Sequence, residues 1–291
     1  MLIDKEKGMT SFDVVRDVRR LTGEKKVGHS GTLDPLATGL LLVALGQGTK
    51  LLEYLIGCDK EYEVVARFGA VSDTYDAEGE ITEVEFDADV SPQGDLLRGV
   101  EVDVASIIKE QFIGEIDQVP PKYSALKVSG KRACDIVRDG GEVEMKKRRV
   151  MIYGFDVVSF DWPEASFRVR CGSGTYIRSL VHDLGQLLGC GAYVSELRRT
   201  VVGDFSIENA VTADANNKIE QSVLSLEDVG RKFGFLELND VDFDGLRDGK
   251  VLLDKKVEQG VPVMAFYKGK LVGVLGNSEK ESGIKFAKVI F

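Results

Sequence analysis

The run Gly28-His29-Ser30-Gly31-Thr32-Leu33-Asp34-Pro35-Leu36-Ala37-Thr38-Gly39 constrains this chain more than any other. Three glycines and a proline within it exclude a regular helix or a central strand. The apolar run Leu40 to Leu45 follows at once and reads as a buried strand or the start of a buried helix. An irregular loop therefore has to sit against a core, with Asp34 at its centre between Leu33 and Pro35. Aspartate before proline ordinarily makes an Asx-turn. A carboxylate held rigidly beside buried strands can also serve as nucleophile or general base. It then needs a cation to stay ionised.

The flanking segments supply a mixed α/β frame. Apolar spacing at Phe12, Val15, Val18 and Leu21, a Thr10 or Ser11 cap and Gly23 predict a helix over Ser11 to Leu21. Glu61 to Ala70 alternates, so Tyr62, Val64, Ala66 and Phe68 share the buried face of a strand. Val104 to Phe112 reads as a short helix, ended by Val119-Pro120-Pro121. Strands are predicted at Val150 to Phe160 and Ser166 to Cys171, and a helix at Ser179 to Leu188 with Leu180, Leu184, Leu187 and Leu188 as its stripe. If Thr175 to Arg178 is extended, Tyr176 and Arg178 project to one side. Thr212 to Gln221 reads as an exposed excursion. The tail from about Phe235 reads as a small β module with turns at Asp248-Gly249, Gly269 and Gly276-Asn277.

Charge is unevenly spread. The net charge of −10 argues by itself against a polyanionic partner. Yet residues 61–117 hold 16 acidic and 3 basic side chains, whereas residues 119–150 hold 9 basic and 4 acidic. A local basic surface attracts phosphates even on an acidic molecule. The acidic stretch Asp73 to Asp103 is expected to be an exposed, turn-rich surface. No apolar run is long enough to span a bilayer, and Met1 to Ser11 lacks a secretory pattern. The four cysteines form no C-x-x-C pair, which favours reduced thiols and a cytoplasmic location.

Most familiar chemistries are poorly supported. Gly46-Gln47-Gly48-Thr49-Lys50 fails the phosphate-loop spacing and reads as a turn. The two histidines, His29 in a loop and His182 on a helix, lack ligand spacing, so no metal is expected. There is no G-x-S-x-G elbow. Asp34, Arg178, Tyr62 and Tyr176 together make a candidate constellation: a carboxylate, its cation and two flat faces for a base. Spacing alone does not bring the four together.

The loop 28–39 resembles the signature of the bacterial tRNA pseudouridine-55 synthases of the TruB type. Further blocks match in the family's order. They are Asp4-Lys5 with Gly8-Met9-Thr10-Ser11, Lys60-Glu61-Tyr62, and Asp73-Thr74 with Asp76 and Gly79. Then come Pro120-Pro121-Lys122-Tyr123-Ser124-Ala125-Leu126-Lys127 with Gly130-Lys131, Gly174-Thr175-Tyr176-Ile177-Arg178, and Leu197-Arg198-Arg199. Glu6, Ser30 and Cys134 depart from the family's usual proline, threonine and aromatic.

The resemblance implies an isomerase that turns a tRNA T-loop uridine into pseudouridine, with no cofactor and no metal. It assigns the central work to Asp34, attacking C1′ or deprotonating the sugar, with Arg178 as its ion partner and Tyr62 stacked on the uracil. Tyr176 and Leu197 become pocket walls, and His29 fills the gap left by extruded bases. Lys122, Lys127, Lys131 and Arg132, with Lys146, Lys147, Arg148 and Arg149, become phosphate contacts. The expected fold is α+β, with a large mostly antiparallel sheet carrying the cleft between helices. Residues 1–233 form the catalytic domain and 234–291 a small PUA-like RNA-binding module. The expected partner is tRNA, through its T-arm and acceptor arm, and the chain is expected to act as a monomer. Rival readings are a guide-RNA-dependent dyskerin-like enzyme, a non-catalytic tRNA-folding factor, and an unrelated soluble enzyme. Missing long basic extensions oppose the first, and the presence of Asp34, Tyr62 and Arg178 together opposes the second, since pure binding would not need the carboxylate.

Overall fold

A computed structural model describes residues 1–85, 104–213, 219–253, 255–258, 261–279 and 282–290. Its centre is a nine-stranded sheet. The strands are β1 (Leu2–Lys5), β2 (Val27–His29), β3 (Thr38–Leu45), β4 (Lys60–Phe68), β5 (Gly114–Gln118), β6 (Arg148–Asp161), β7 (Glu164–Cys171), β8 (Ala192–Val202) and β9 (Phe205–Ser206). Their order is β1-β3-β8-β4-β7-β6-β5, with β2 on β3 and β9 on β8. Every pairing is antiparallel except β3 with β8, so the mostly antiparallel α+β expectation holds.

The period-2 pattern of β4 carries through. Lys60, Tyr62, Val64, Ala66 and Phe68 are buried while Glu63 and Arg67 face solvent. The buried face packs on Leu180, Val181 and Leu184 of helix α3 (Ile177–Leu188) and on Ile108 of α2 (Val104–Gln111). Gly185 lets α3 lie close, since a Cβ there would come 2.2 Å from the backbone nitrogen of Ala192. Helix α1 (Ser11–Thr22) is capped at Thr10, as expected, in a reciprocal capping box with Asp13, and ends at a left-handed Gly23.

The stripes were partly misassigned. On α1 the buried residues are Ser11, Val14, Val15 and Val18, while Phe12 is 62% exposed. On α3 Leu187 is exposed. Phe12 lies three residues from Val15, and Leu187 three from Leu184, so helical spacing admits both; each nevertheless sits at the edge of the buried arc and turns to solvent. Strands β1, β5 and β8 were not anticipated. Gly46–Leu51 is a 3-10 helix rather than a simple turn.

The C-terminal segment forms a five-stranded sheet, as expected of a β module. Its strands are β10 (Gly234–Leu238), β11 (Leu252–Leu253), β12 (Val263–Tyr267), β13 (Lys270–Asn277) and β14 (Gly283–Val289), in order β10-β12-β13-β14-β11. Two details differ. Asp240–Arg247 is a helix, capped by Asn239, and Gly276-Asn277 lies inside β13 rather than at a turn. Its core is continuous with the main sheet. Met264, Phe266, Leu271, Val274 and Ile290 cluster with Leu2, Leu40, Leu42, Leu51, Val202 and Phe205, and Lys288 pairs with Glu53. Of the predicted excursion Thr212 to Gln221, residues 214–218 lie outside the described residues, and Ile219 is buried.

Candidate active site

Asp34 is held by its loop. Pro35 O accepts from Gly8 N at 2.8 Å, and Asp34 O from Ala37 N at 3.1 Å. Ser11 Oγ accepts from Leu33 N at 2.8 Å. Leu33, Leu36 and Ala37 are buried on either side. Buried Lys5 crosses under the loop, donating to Met9 O at 2.7 Å and Glu6 O at 2.9 Å. Gly39 ends it at φ +101°, where a Cβ would lie 2.3 Å from Arg199 O. That close approach lets β3 pair with β8 and fixes the loop on the sheet.

Arg178 meets Asp34 from α3. Its Nε lies 3.0 Å from Asp34 Oδ2 and its Nη1 lies 3.1 Å from Asp76 Oδ2. Nη1 also donates to Thr74 O at 2.7 Å, and Nη2 to Tyr123 O at 3.0 Å. The Nε–H is not aligned with Asp34, so that contact is an ion pair without a well-formed hydrogen bond. Asp76 Oδ1 accepts from Thr74 Oγ1 at 2.6 Å and Glu78 N at 3.0 Å. The arginine is thus clamped by two carboxylates and two carbonyls.

Only one of those carboxylates is open. The side chain of Asp34 is 37% exposed, against 3% for Asp76 and 5% for Arg178. Asp76 therefore serves the arginine, and Asp34 faces what enters the cleft. Partial enclosure pushes the Asp34 carboxyl above its ordinary pKa. Arg178 opposes that rise and Asp76 adds to it. Burial lowers Lys5 to about 8, an effect that Asp34 counters.

The cleft holds about 310 Å³. Asp34, Arg178, Tyr62, Tyr176 and Leu197 all line it, so the structure unites the proposed acid, its cation, both tyrosines and the leucine wall. Tyr62 is 8% exposed, and burial raises its phenol pKa. Tyr176 is pinned through its backbone: its N donates to Gln118 Oε1 at 2.8 Å, and its O accepts from Gln118 Nε2 at 3.0 Å. The extended geometry proposed for Thr175 to Arg178 stops at Tyr176, the helix cap, and Arg178 stands in the first turn of α3.

His29 is not in the cleft lining. It ends strand β2 opposite Val43 rather than lying in a loop, and its Nδ1 accepts from Gly31 N at 3.3 Å. Burial, aided by Arg199, lowers its pKa. Lys122, Lys127, Lys131 and Arg132 are exposed. Arg132 is not free, because its Nε and Nη2 grip Asp135 at 2.6 and 2.9 Å.

Sequence reasoning missed three parts. Asp76 falls in a stretch expected to be exposed, yet it is 2% exposed; residues 86–103 of that stretch lie outside the described residues. Arg199 is 1% exposed, lines the cleft beside Tyr62, and donates from Nε to Leu40 O at 2.7 Å. Lys60 also lines it, lowered to about 8 by burial and by Arg199. All three stood in the matched sequence blocks without a role.

Comparison with known proteins places the chain in a family. Residues 19–177 match the N-terminal domain of the TruB family pseudouridylate synthases. The chain belongs to that family. Residues 178–229 match the tRNA pseudouridylate synthase B C-terminal domain. Tyr62 lies in the first matched segment, as does Asp34, and Arg178 opens the second. The five-stranded sheet begins at Gly234, beyond both. The tRNA pseudouridine synthase B of Clostridium tetani is 37% identical over 292 residues, covering 98% of this chain and 97% of the relative. That of an Azoarcus species is 39% identical over 282 residues, covering 94% and 89%. Among solved structures, a chain of the Cbf5-Nop10-Gar1 complex superposes with a TM-score of 0.72 at 25% identity, covering 100% of this chain and 84% of that one. The loop 28–39, which carries the carboxylate left open to the cleft, lies within the first matched segment.

Proposed function

We propose that this chain isomerises uridine to pseudouridine at position 55 in the T-loop of tRNA. The carrying observation is that Asp34 alone of the two Arg178-bound carboxylates opens to the cleft. The reaction breaks N1–C1′, turns the uracil and joins C5 to C1′; C5 then gives up its proton and N1 takes one up, so there is no net change in protons or electrons. Atoms and electrons balance without an external reactant, so the chemistry calls for no cofactor. Asp34 attacks C1′ or removes a sugar proton; either route uses the same carboxylate. Arg178 keeps it ionised, and buried Tyr62 gives the everted base a flat face. Leu197 and Tyr176 wall the cleft. His29, two residues before Gly31 of the lining, fills the gap left in the RNA stack. Purified protein incubated with unmodified tRNA transcript and no additive is expected to yield pseudouridine at that single T-loop position. Mapping that finds uridine intact there refutes the reading.

Tyr62→Leu keeps an apolar filler and removes the ring. Its single-turnover rate is expected to fall by about 10²-fold, the scale of a lost positioning contact, with tRNA affinity nearly unchanged. Equal losses in rate and in Kd, measured by filter binding, reduce Tyr62 to a binding residue.

The basic segment supports an RNA grip. Lys127–Val128 and Lys131–Arg132 form a hairpin in which Lys127 lies directly across from Arg132. Facing cations repel unless an anion lies between them. Asp135 quiets Arg132, which leaves Lys122, Lys127 and Lys131 for phosphates, joined by Lys146 and Lys147. With five such contacts, affinity is expected to drop roughly 500-fold between about 50 and 200 mM salt, despite the acidic average. A flat salt response measured by filter binding assigns those lysines to solvent alone.

The same reading takes residues 1–233 as the catalytic domain and 234–291 as a PUA-like module against the acceptor arm. The protein then works as a cytoplasmic monomer on the T-arm. Among the described residues no helix is long and apolar enough to cross a membrane.

A further inference from the structure

Two rings outside the cleft meet where the ion network is built. Tyr75 has φ +64°, a left-handed backbone that a bulky side chain adopts only under strain. Glycine or asparagine ordinarily takes such a position. The Tyr75 ring lies face to face on the His182 imidazole, with centroids 3.8 Å apart and planes 9° from parallel. The Nδ1 of His182 is buried and has no hydrogen-bond partner among the described residues. The imidazole is thus held by stacking rather than by a polar anchor at that nitrogen.

Each ring neighbours, in the chain, a member of the Arg178 network. Thr74 and Asp76, on either side of Tyr75, supply the carbonyl and the carboxylate that hold Nη1 at 2.7 and 3.1 Å. His182 stands one turn beyond Arg178 on α3, at the i+4 position of the same face. Backbone bonds tie the turn to β8, from Val194 N to Tyr75 O at 3.0 Å and from Ala77 N to Val194 O at 2.9 Å. The stack adds a tie from that turn to the helix. Neither ring lines the cleft, so both act at one remove.

We infer that the Tyr75–His182 stack is a positioning device for catalysis. It fixes the spacing between the 72–79 turn and α3. Through Thr74 and Asp76 it sets the pose of Arg178, and so the direction in which Asp34 faces the sugar. The inference rests on the pseudouridine-forming reading above. A residue in a rare conformation, kept there by a ring contact beside the reacting ion pair, is what a pre-set active site requires.

Tyr75→Gly tests it cleanly, because glycine accepts the left-handed backbone while removing the ring. His182→Ala removes the same contact from the helix side. Wild-type protein must first form pseudouridine on unmodified tRNA; if it does not, the functional reading fails before the stack is tested. With wild type active, each variant is expected to lose about tenfold or more in single-turnover rate, since small misplacements near reacting atoms are costly. Affinity for tRNA is expected to stay within about twofold, and Tyr75→Phe and His182→Phe, which keep a flat ring, to recover most of the rate. An unchanged rate in Tyr75→Gly and His182→Ala overturns the inference. So do matched losses of rate and affinity, or phenylalanine variants as slow as the truncated ones.

Discussion

Asp34→Asn is expected to abolish pseudouridine formation, by at least about 10³-fold, while tRNA still binds. The amide keeps the size and the loop contacts, so Leu33, Leu36 and the Pro35 carbonyl stay where they are. It loses the charge that the proposed reaction uses to attack or deprotonate the sugar. Arg178 remains neutralised by Asp76 at 3.1 Å, so the cleft keeps its shape. Single-turnover assays beside filter binding separate the two quantities. Turnover within tenfold of wild type would remove Asp34 from the centre of the reaction.

Arg178→Leu is expected to damage both chemistry and stability. The leucine leaves Asp34 without its cation and Asp76 buried without a counter-charge, along with unmet carbonyls at Thr74 and Tyr123. Removing one partner of a buried ion pair costs roughly 3–5 kcal/mol. Guanidinium denaturation should show a midpoint well below that of wild type, and activity should fall as far as in Asp34→Asn. Arg178→Lys is expected to recover part of the stability and little of the rate, because one ammonium cannot fork to four acceptors as the guanidinium does. A leucine variant as stable as wild type would mean that the clamp around the arginine contributes nothing net.

The parts of this molecule that follow local rules were legible in its sequence. Thr10, the valines and Gly23 mark α1; alternation marks β4; glycine, proline and a flanked aspartate mark the loop that carries Asp34. What local rules do not encode was missed. Strand β8 carries Ser195, Glu196, Arg198 and Arg199 among its apolar residues because it is central yet bulged, with register shifts between Val194 and Glu196 and between Arg199 and Val201. Asp76 looked like one more surface acid because its burial depends on an arginine 102 positions later in the chain. The stripe errors at Phe12 and Leu187 came from taking apolar character for an inward direction. The site itself was named through resemblance; periodicity placed Tyr62 on a buried face but gave no reason for Arg178 to approach it.

Strand β8 lies between β3 and β4, which follow one another in the chain yet do not touch. During synthesis those two ribbons leave the ribosome with a vacant slot between them, which stays unfilled until some 120 further residues have been made. Asp34, Tyr62 and Arg178 therefore come into register only after β8 has been made. Closing the sheet thus requires a contact of long sequence separation, which slows folding relative to a sheet of adjacent hairpins.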